Sequence, residues 1–228
     1  MDRDKIERAV RDLHGQIWQK RKVYWPDGTP NNLVDMLEPE IAAKILGVEF
    51  EHHEDLGQFG YRGDRFETAG LLDRRARKIA VSMKFSPEAI RFTGAHEIGH
   101  WLLHPDQAMY RERPIKGLVG QTSSRPPQEK EADYFAGCFL VPPGLVEEAL
   151  EFAFSSAPFV FDDTAAFWLC PSDPESLLRA DDESLDRALA VASTESYGGR
   201  RFISLARQFR VSPTTMAIRL RELELIQE

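Results

Sequence analysis

Phe92-Thr93-Gly94-Ala95-His96-Glu97-Ile98-Gly99-His100-Trp101-Leu102-Leu103-His104 carries the pattern His-Glu-x-x-His at residues 96–100, inside an otherwise apolar run. On an α-helix, residues four apart share one face and lie one turn above each other. Two imidazoles so placed can bind one Zn²⁺, and the glutamate beside the first reaches a water on that metal. Zinc lowers the pKa of such a water from about 15.7 to about 7. A carboxylate at Glu97 then takes the water's proton and later passes it to a leaving amine. Burying two imidazoles and a carboxylate among apolar neighbours is costly without partners. A metal is the partner this spacing suits, so His96 and His100 are read as metal ligands and Glu97 as the catalytic residue.

The flanking sequence frames this helix. Ser86-Pro87-Glu88 opens it, with Ser86 as N-cap and Pro87 at the first helical position, and Pro105 follows it. Just upstream, residues 78–85 alternate, with Ile79, Val81 and Met83 on one face, which predicts a half-buried strand where a substrate strand could pair. Further back, residues 38–46 read as a helix stopped by Gly47, and Val48-Glu49-Phe50 begins a strand. Residues 2–20 form an amphipathic pattern through Ile6, Val10, Leu13 and Ile17. Downstream, residues 111–128 hold three prolines, two glycines and two serines and read as a mobile loop able to gate a cleft. A helix over about 128–140 ends before Pro142-Pro143.

A catalytic zinc site needs a third protein ligand and an open fourth position. Position 106, where an extended form of the motif would place another histidine, is Asp. The helix Glu129-Lys130-Glu131-Ala132-Asp133-Tyr134-Phe135-Ala136-Gly137-Cys138-Phe139-Leu140 supplies candidates. Its apolar stripe runs through Ala132, Phe135, Ala136, Phe139 and Leu140. Glu129 projects within that stripe and Glu131 roughly 100° off its centre. Glu129 is therefore the preferred third ligand and Glu131 the alternate. Zn²⁺ is the expected metal, although a His₂Glu set also accepts Mn²⁺ or Fe²⁺.

Other polar residues have simpler readings. His104 suits a helix C-terminal position before Pro105 better than a ligand role. His52 and His53 are adjacent, so on a strand they point to opposite faces. Cys138 reads as a packed small residue. Cys170 reads as buried, with an inhibitory thiolate over the open zinc position as the sharper alternative. Tyr134, Tyr110 and Arg91 are candidates to stabilise a tetrahedral oxyanion, and spacing does not choose among them.

Residues 79–104, and the later Glu129-to-Pro142 segment with its E-x-x-A-x-x-F-A-like helix, together resemble the ImmA/IrrE family of metallopeptidases. The order of strand, His-Glu-x-x-His helix, variable loop and glutamate helix is also similar, and the likeness covers roughly residues 39–143. The resemblance implies an α+β, zincin-like metallopeptidase, mostly helical with a small twisted sheet. It implies His96, His100 and Glu129 as metal ligands and Glu97 as the catalytic glutamate. It further implies a narrow substrate, a helix-turn-helix transcriptional repressor. Cleavage would relieve repression in a DNA-damage, mobile-element or phage-defence response, with single-stranded DNA as a candidate activator. Val141 falls where the family usually has Met, and the acidic stretch 161–187 has no counterpart we can place.

The rest of the chain bounds this reading. Its 228 residues carry a net charge of −8, 42% apolar and 29% charged residues, as expected of a globular protein and not of one coating duplex DNA. Two cysteines are too few for a disulfide scaffold. With no signal-like N-terminus and no long apolar run, a cytoplasmic protein is expected. Residues 161–186 contain eight acids and one arginine, whereas residues 199–221 contain six arginines and no acid. That shift predicts a peptidase domain over 1–155, an acidic connection over 156–198 and an Arg-rich segment over 199–228. Within the last, Leu205, Ala206, Phe209, Val211, Ser212, Met216 and Leu220 are spaced like a helix-turn-helix. A structural helical pair is favoured over a duplex reader. Two further functions stay in view: a non-proteolytic metal-containing regulator that binds a repressor or DNA, and a general peptidase acting on small peptides.

Overall fold

A computed structural model of the chain describes residues 1–61, 64–106, 109–112 and 125–227. The described residues divide into two compact units, with the break between Leu140 and Val141.

In the first unit, α1 (Arg3–Gln19) is capped by the Asp2 side chain and buries Ile6, Val10, Leu13 and Ile17, the stripe its sequence predicts. The short α2 (Arg21–Tyr24) follows, then a 3₁₀ turn at Leu33–Met36. Helix α3 (Pro39–Leu46) has Pro39 in its first turn and ends on Gly47 at φ +68°, a left-handed C-cap that glycine adopts without strain. Four strands make the main sheet: β1 (Glu49–His53), β4 (Gly70–Asp73), β5 (Lys78–Ser82) and β6 (Met109–Glu112), in the order β1-β5-β4-β6. A separate hairpin pairs β2 (Gln58–Tyr61) with β3 (Asp64–Glu67). Strand β1 runs parallel to β5, while β4 is antiparallel to both β5 and β6.

Strand β5 differs from its expected half-buried form. Ile79, Ala80, Val81 and Ser82 are all buried, so both faces of this strand are covered, and the strand stops at Ser82 with Met83 exposed. The buried strand leads into α4 (Pro87–Leu103), the His-Glu-x-x-His helix. Ser86 Oγ accepts from the Ala89 amide at 3.3 Å, so the expected cap is present. Residues Arg91 to His100 are buried without interruption, so α4 is an interior helix. Its last turn is closed by Arg74 from the β4–β5 turn, whose guanidinium donates to the carbonyls of His100, Trp101 and His104 at 2.9, 3.0 and 3.1 Å. Helix α5 (Pro127–Leu140) packs along α4 and, on another side, against α1, where His14 Nε2 meets the Phe139 carbonyl at 3.0 Å.

The second unit is helical with four two-residue strand pieces: α6 (Pro143–Phe154), β7 (Phe159–Val160), α7 (Asp163–Leu169), α8 (Pro174–Leu178), α9 (Asp186–Ser193), the hairpin β8 (Ser196–Tyr197) and β9 (Arg200–Arg201), α10 (Leu205–Phe209), α11 (Pro213–Glu222) and β10 (Ile226–Gln227), which runs parallel to β7. Phe154 makes edge contacts with Phe159, Tyr197 and Phe202 at centroid distances of 4.9, 5.1 and 5.4 Å. The acidic stretch serves the local backbone. Asp162 caps α7 through the Ala165 amide at 2.7 Å, and Asp173 caps α8 through Ser176 at 3.2 Å.

Helices α10 and α11 are joined by a tight turn with Arg210 at φ +54°, and Ser212 caps α11 through the Thr215 amide at 3.0 Å. Helix α11 lies on α9 and buries Thr215, Met216, Ala217, Arg219 and Leu220. Arg219, 2% exposed, donates to the Val141 carbonyl and pairs with Glu222. Arg221 donates to the carbonyls of Glu183 and Ser184, and Arg207 pairs with Glu195.

Candidate metal centre

Glycine lets the two helices of the site come together. A Cβ on Gly99 of α4 would lie 3.1 Å from Cβ and Cδ1 of Phe135 and 3.2 Å from the Ala132 Cα of α5, tighter than ordinary carbon contacts. This close approach brings the first turn of α5 beside the middle of α4.

His96, His100 and Glu129 converge there. Their ligand atoms all lie within 4.8 Å of one another. The two Nε2 atoms are 3.0 Å apart. Glu129 Oε2 is 3.4 Å from His96 Nε2, and Oε1 is 3.4 Å from His100 Nε2. Both imidazoles are 1% exposed. Burial pushes the His100 pKa down to about 4 and outweighs the opposing pull of Glu129, while His96 and His104 act in the same sense as burial. His100 is therefore neutral at pH 7, with a nitrogen lone pair to offer. Two buried imidazoles and a carboxylate, with ligand atoms this close together, suit a divalent cation of the zinc type. That donor set fits the metal expected from the sequence.

Glu131, the alternate ligand, is placed elsewhere: its Oε2 lies 3.0 Å from His104 Nε2. His104 stands at the C-cap of α4, as expected, but its ring is buried and turned inward, with Nδ1 2.9 Å from His100 Nδ1. Asp133 also enters the site. Its Oδ1 lies 3.0 Å from His96 Nδ1, and its Oδ2 meets Arg125 Nη1 at 3.0 Å. Arg125 Nη2 reaches Glu129 Oε2 at 3.3 Å, so one guanidinium spans both carboxylates. Sequence reasoning did not assign Asp133 or Arg125. For Asp133 the signal was present, since it lies four residues beyond Glu129 on the same helix.

Glu97 is fully buried and lies against the sheet. A Cβ on Gly70 of β4 would come within 2.6 Å of Glu97 Oε1 and 2.5 Å of Thr93 Cγ2. The missing side chain at Gly70 thus makes the space the carboxylate occupies. Gly70→Ala should move the Glu97 carboxylate while leaving His96, His100 and Glu129 in place. A displacement of about 1 Å can cost about 100-fold in rate. The expected result is a drop in turnover of that order with unchanged metal content, read by kinetics beside elemental analysis.

The remaining polar candidates have structural partners. Arg91 donates to the Leu37 carbonyl at 2.8 Å and lies 3.4 Å from Glu38. Tyr134 donates to Glu7 at 2.7 Å. His52 and His53 pair with Glu40 and Glu51 on the exposed strand β1. Cys138 is buried in α5, and Cys170 ends α7 with its Sγ 3.9 Å from Ser172 Oγ. The Tyr110 side chain and most of the expected 111–128 loop lie outside the described residues.

Residues 46–154 match the IrrE N-terminal-like domain, a peptidase domain. This match supports an ImmA/IrrE assignment for the domain over residues 46–154. The matched span takes in the whole of α4 and α5, so the convergent His96, His100 and Glu129 lie within the domain of a metallopeptidase family. No curated protein matches the chain. The α+β class expected from the sequence agrees with the helices and small sheets of the family domain. No helix among the described residues is long and apolar enough to cross a membrane.

Proposed function

We propose that this protein is a zincin-like, zinc-dependent endopeptidase that cuts a helix-turn-helix transcriptional repressor at a defined bond. The observation that carries the reading is the burial of Glu97 beside the converging His96, His100 and Glu129. A purely structural metal site has no need of a further buried carboxylate beside its three ligands.

His96, His100 and Glu129 would hold the zinc, which supplies a water acidic enough to attack at neutral pH. Glu97 acts as the general base: its carboxylate takes one proton from the attacking water as the oxygen adds to the scissile carbonyl carbon. The same proton then goes from Glu97 to the departing amide nitrogen as the carbon–nitrogen bond breaks. The low-dielectric surroundings of Glu97 strengthen its interaction with developing charge.

The repressor substrate and the stress-response role rest on the family. The C-terminal helices bear on the DNA question through their contacts. Arg207, Arg219 and Arg221 are engaged within their own unit, and α11 buries half of its residues, Arg219 among them. That arrangement favours a structural helix-turn-helix-like pair over a duplex reader, and single-stranded DNA enters the reading only as an activator.

The test mixes the purified full chain and zinc with the helix-turn-helix repressor encoded beside its gene, with and without single-stranded DNA. Intact-mass spectrometry should show one pair of fragments whose masses sum to the repressor plus one water. An intact repressor beside a fully zinc-loaded protein would favour the alternative, a metal-containing regulator that binds a repressor or DNA without cutting it. Turnover of casein would favour a general peptidase.

A further inference from the structure

Two histidines of α4, at positions 96 and 100, and its C-cap His104 face three acids of α5, at positions 129, 131 and 133. Glu129 meets the two Nε2 atoms directly. The other two acids stand on the far sides of the imidazoles, one directly and one through another ring. Asp133 contacts His96 Nδ1 at 3.0 Å. Glu131 contacts His104 Nε2 at 3.0 Å, and His104 Nδ1 contacts His100 Nδ1 at 2.9 Å.

Hydrogen-bond polarity fixes how these contacts run. A neutral imidazole donates from one nitrogen and accepts at the other. If Nε2 of His100 faces a metal with its lone pair, the ring proton must sit on Nδ1. His100 Nδ1–H then donates, so His104 Nδ1 accepts. The proton of His104 is therefore on Nε2, where it donates to the Glu131 carboxylate. Each link has one donor and one acceptor, and the chain ends on an anion. On the other side His96 Nδ1–H donates straight to Asp133. Such outer partners orient metal-binding imidazoles and raise their basicity, and losing one commonly weakens metal binding by about 10- to 100-fold.

We infer that His104, pinned by Glu131, is a positioning residue that holds His100 in the Nδ1–H tautomer with its Nε2 turned to the metal. This rests on the proposed metal site and adds to it a residue that touches neither metal nor substrate. The site is thus asymmetric: His96 is held by a carboxylate and His100 by a neutral ring. The i, i+4 spacing that sets His96 over His100 is used once more, to set His100 over an acceptor.

The test measures zinc affinity of the full chain by competition with a chromophoric chelator, with the histidine tautomers read by long-range ¹H–¹⁵N correlation spectra. His104→Ala should weaken zinc binding about 10- to 100-fold. His104→Asn places an amide oxygen near the position of Nδ1 and should restore most of that loss. His104→Gln reaches too far and should not. In the zinc-loaded wild type, His100 should show its proton on Nδ1 and His104 on Nε2. Three results would overturn the inference: His104→Ala binding zinc as tightly as wild type, His104→Asn failing to recover what His104→Ala loses, or a wild-type His104 protonated on Nδ1. The wild-type spectrum decides the matter even if a variant misfolds. A wild type that takes up no zinc at all would instead strike at the metal site itself.

Discussion

Glu97→Gln should retain a full zinc complement and lose about 10²- to 10⁴-fold in the rate of repressor cleavage, the range a general acid–base supplies. The substitution keeps the shape of the side chain. The amide fills the same space beside Gly70 and Thr93, so the packing of α4 on β4 is preserved. Neither His96, His100 nor Glu129 changes, so metal uptake should match wild type. What is lost is the ability to accept a proton at that position, because a carboxamide oxygen is too weak a base at neutral pH. The measurement pairs elemental analysis with single-turnover cleavage followed by mass spectrometry. A variant as active as wild type would remove Glu97 from the chemistry.

Withdrawing the metal should have the second large effect. A ligand that binds the folded state alone stabilises it by about 4 kcal/mol when its free concentration is about 1,000 times the dissociation constant. Chelation should therefore lower the melting temperature and abolish cleavage, and zinc should restore both. Acid should narrow the difference between the loaded and stripped forms. In the metal-free protein burial holds the His100 pKa at about 4, against 6.5 for an ordinary histidine. Below about 6.5 the unfolded chain takes up a proton that the folded His100 refuses, so stability falls with pH until about 4, where the folded form also titrates. The displacement corresponds to roughly 3 kcal/mol. His14 adds in the same direction, its pKa lowered by burial against the bond to the Phe139 carbonyl. As His100 protonates near pH 4 it ceases to be a ligand, and the advantage of the zinc-loaded form should vanish. Calorimetric scans at a series of pH values, with and without zinc, check both parts.

Much of this site is legible in the sequence because it follows helical spacing. Residues 96 and 100 are one turn apart, Ser86 and Pro87 announce the start of α4, and the apolar stripe of α5 places Glu129 ahead of Glu131. His104 is one turn beyond His100, and Asp133 one turn beyond Glu129, and each holds an imidazole. What spacing does not contain is the contact between elements distant in the chain. Gly70 precedes Glu97 by 27 residues and looks like any strand glycine until the carboxylate is seen against it. Arg74 looks like a turn residue until its three carbonyl partners are known. Strand β5 differs from its expected form for a related reason: alternation predicts one covered face, whereas cover on the second face comes from elements distant in the chain. The acidic stretch yielded no role because an N-cap is decided by where a short helix begins, which composition does not specify.

The Arg74 contact also bears on how the site can be lost. Helices ordinarily fray from their ends, and the final turn of α4 holds His100, with His104 as its C-cap. A single guanidinium bonds three carbonyls of that turn and lies 4.6 Å from the Trp101 ring centroid, so the end is tied to the β4–β5 turn. Amide protons of the last turn should then exchange with solvent as slowly as those of the buried helix middle, through cooperative opening of the unit. The metal-binding geometry is in that sense an all-or-none property: it persists while the sheet and helix stay together and disappears with them.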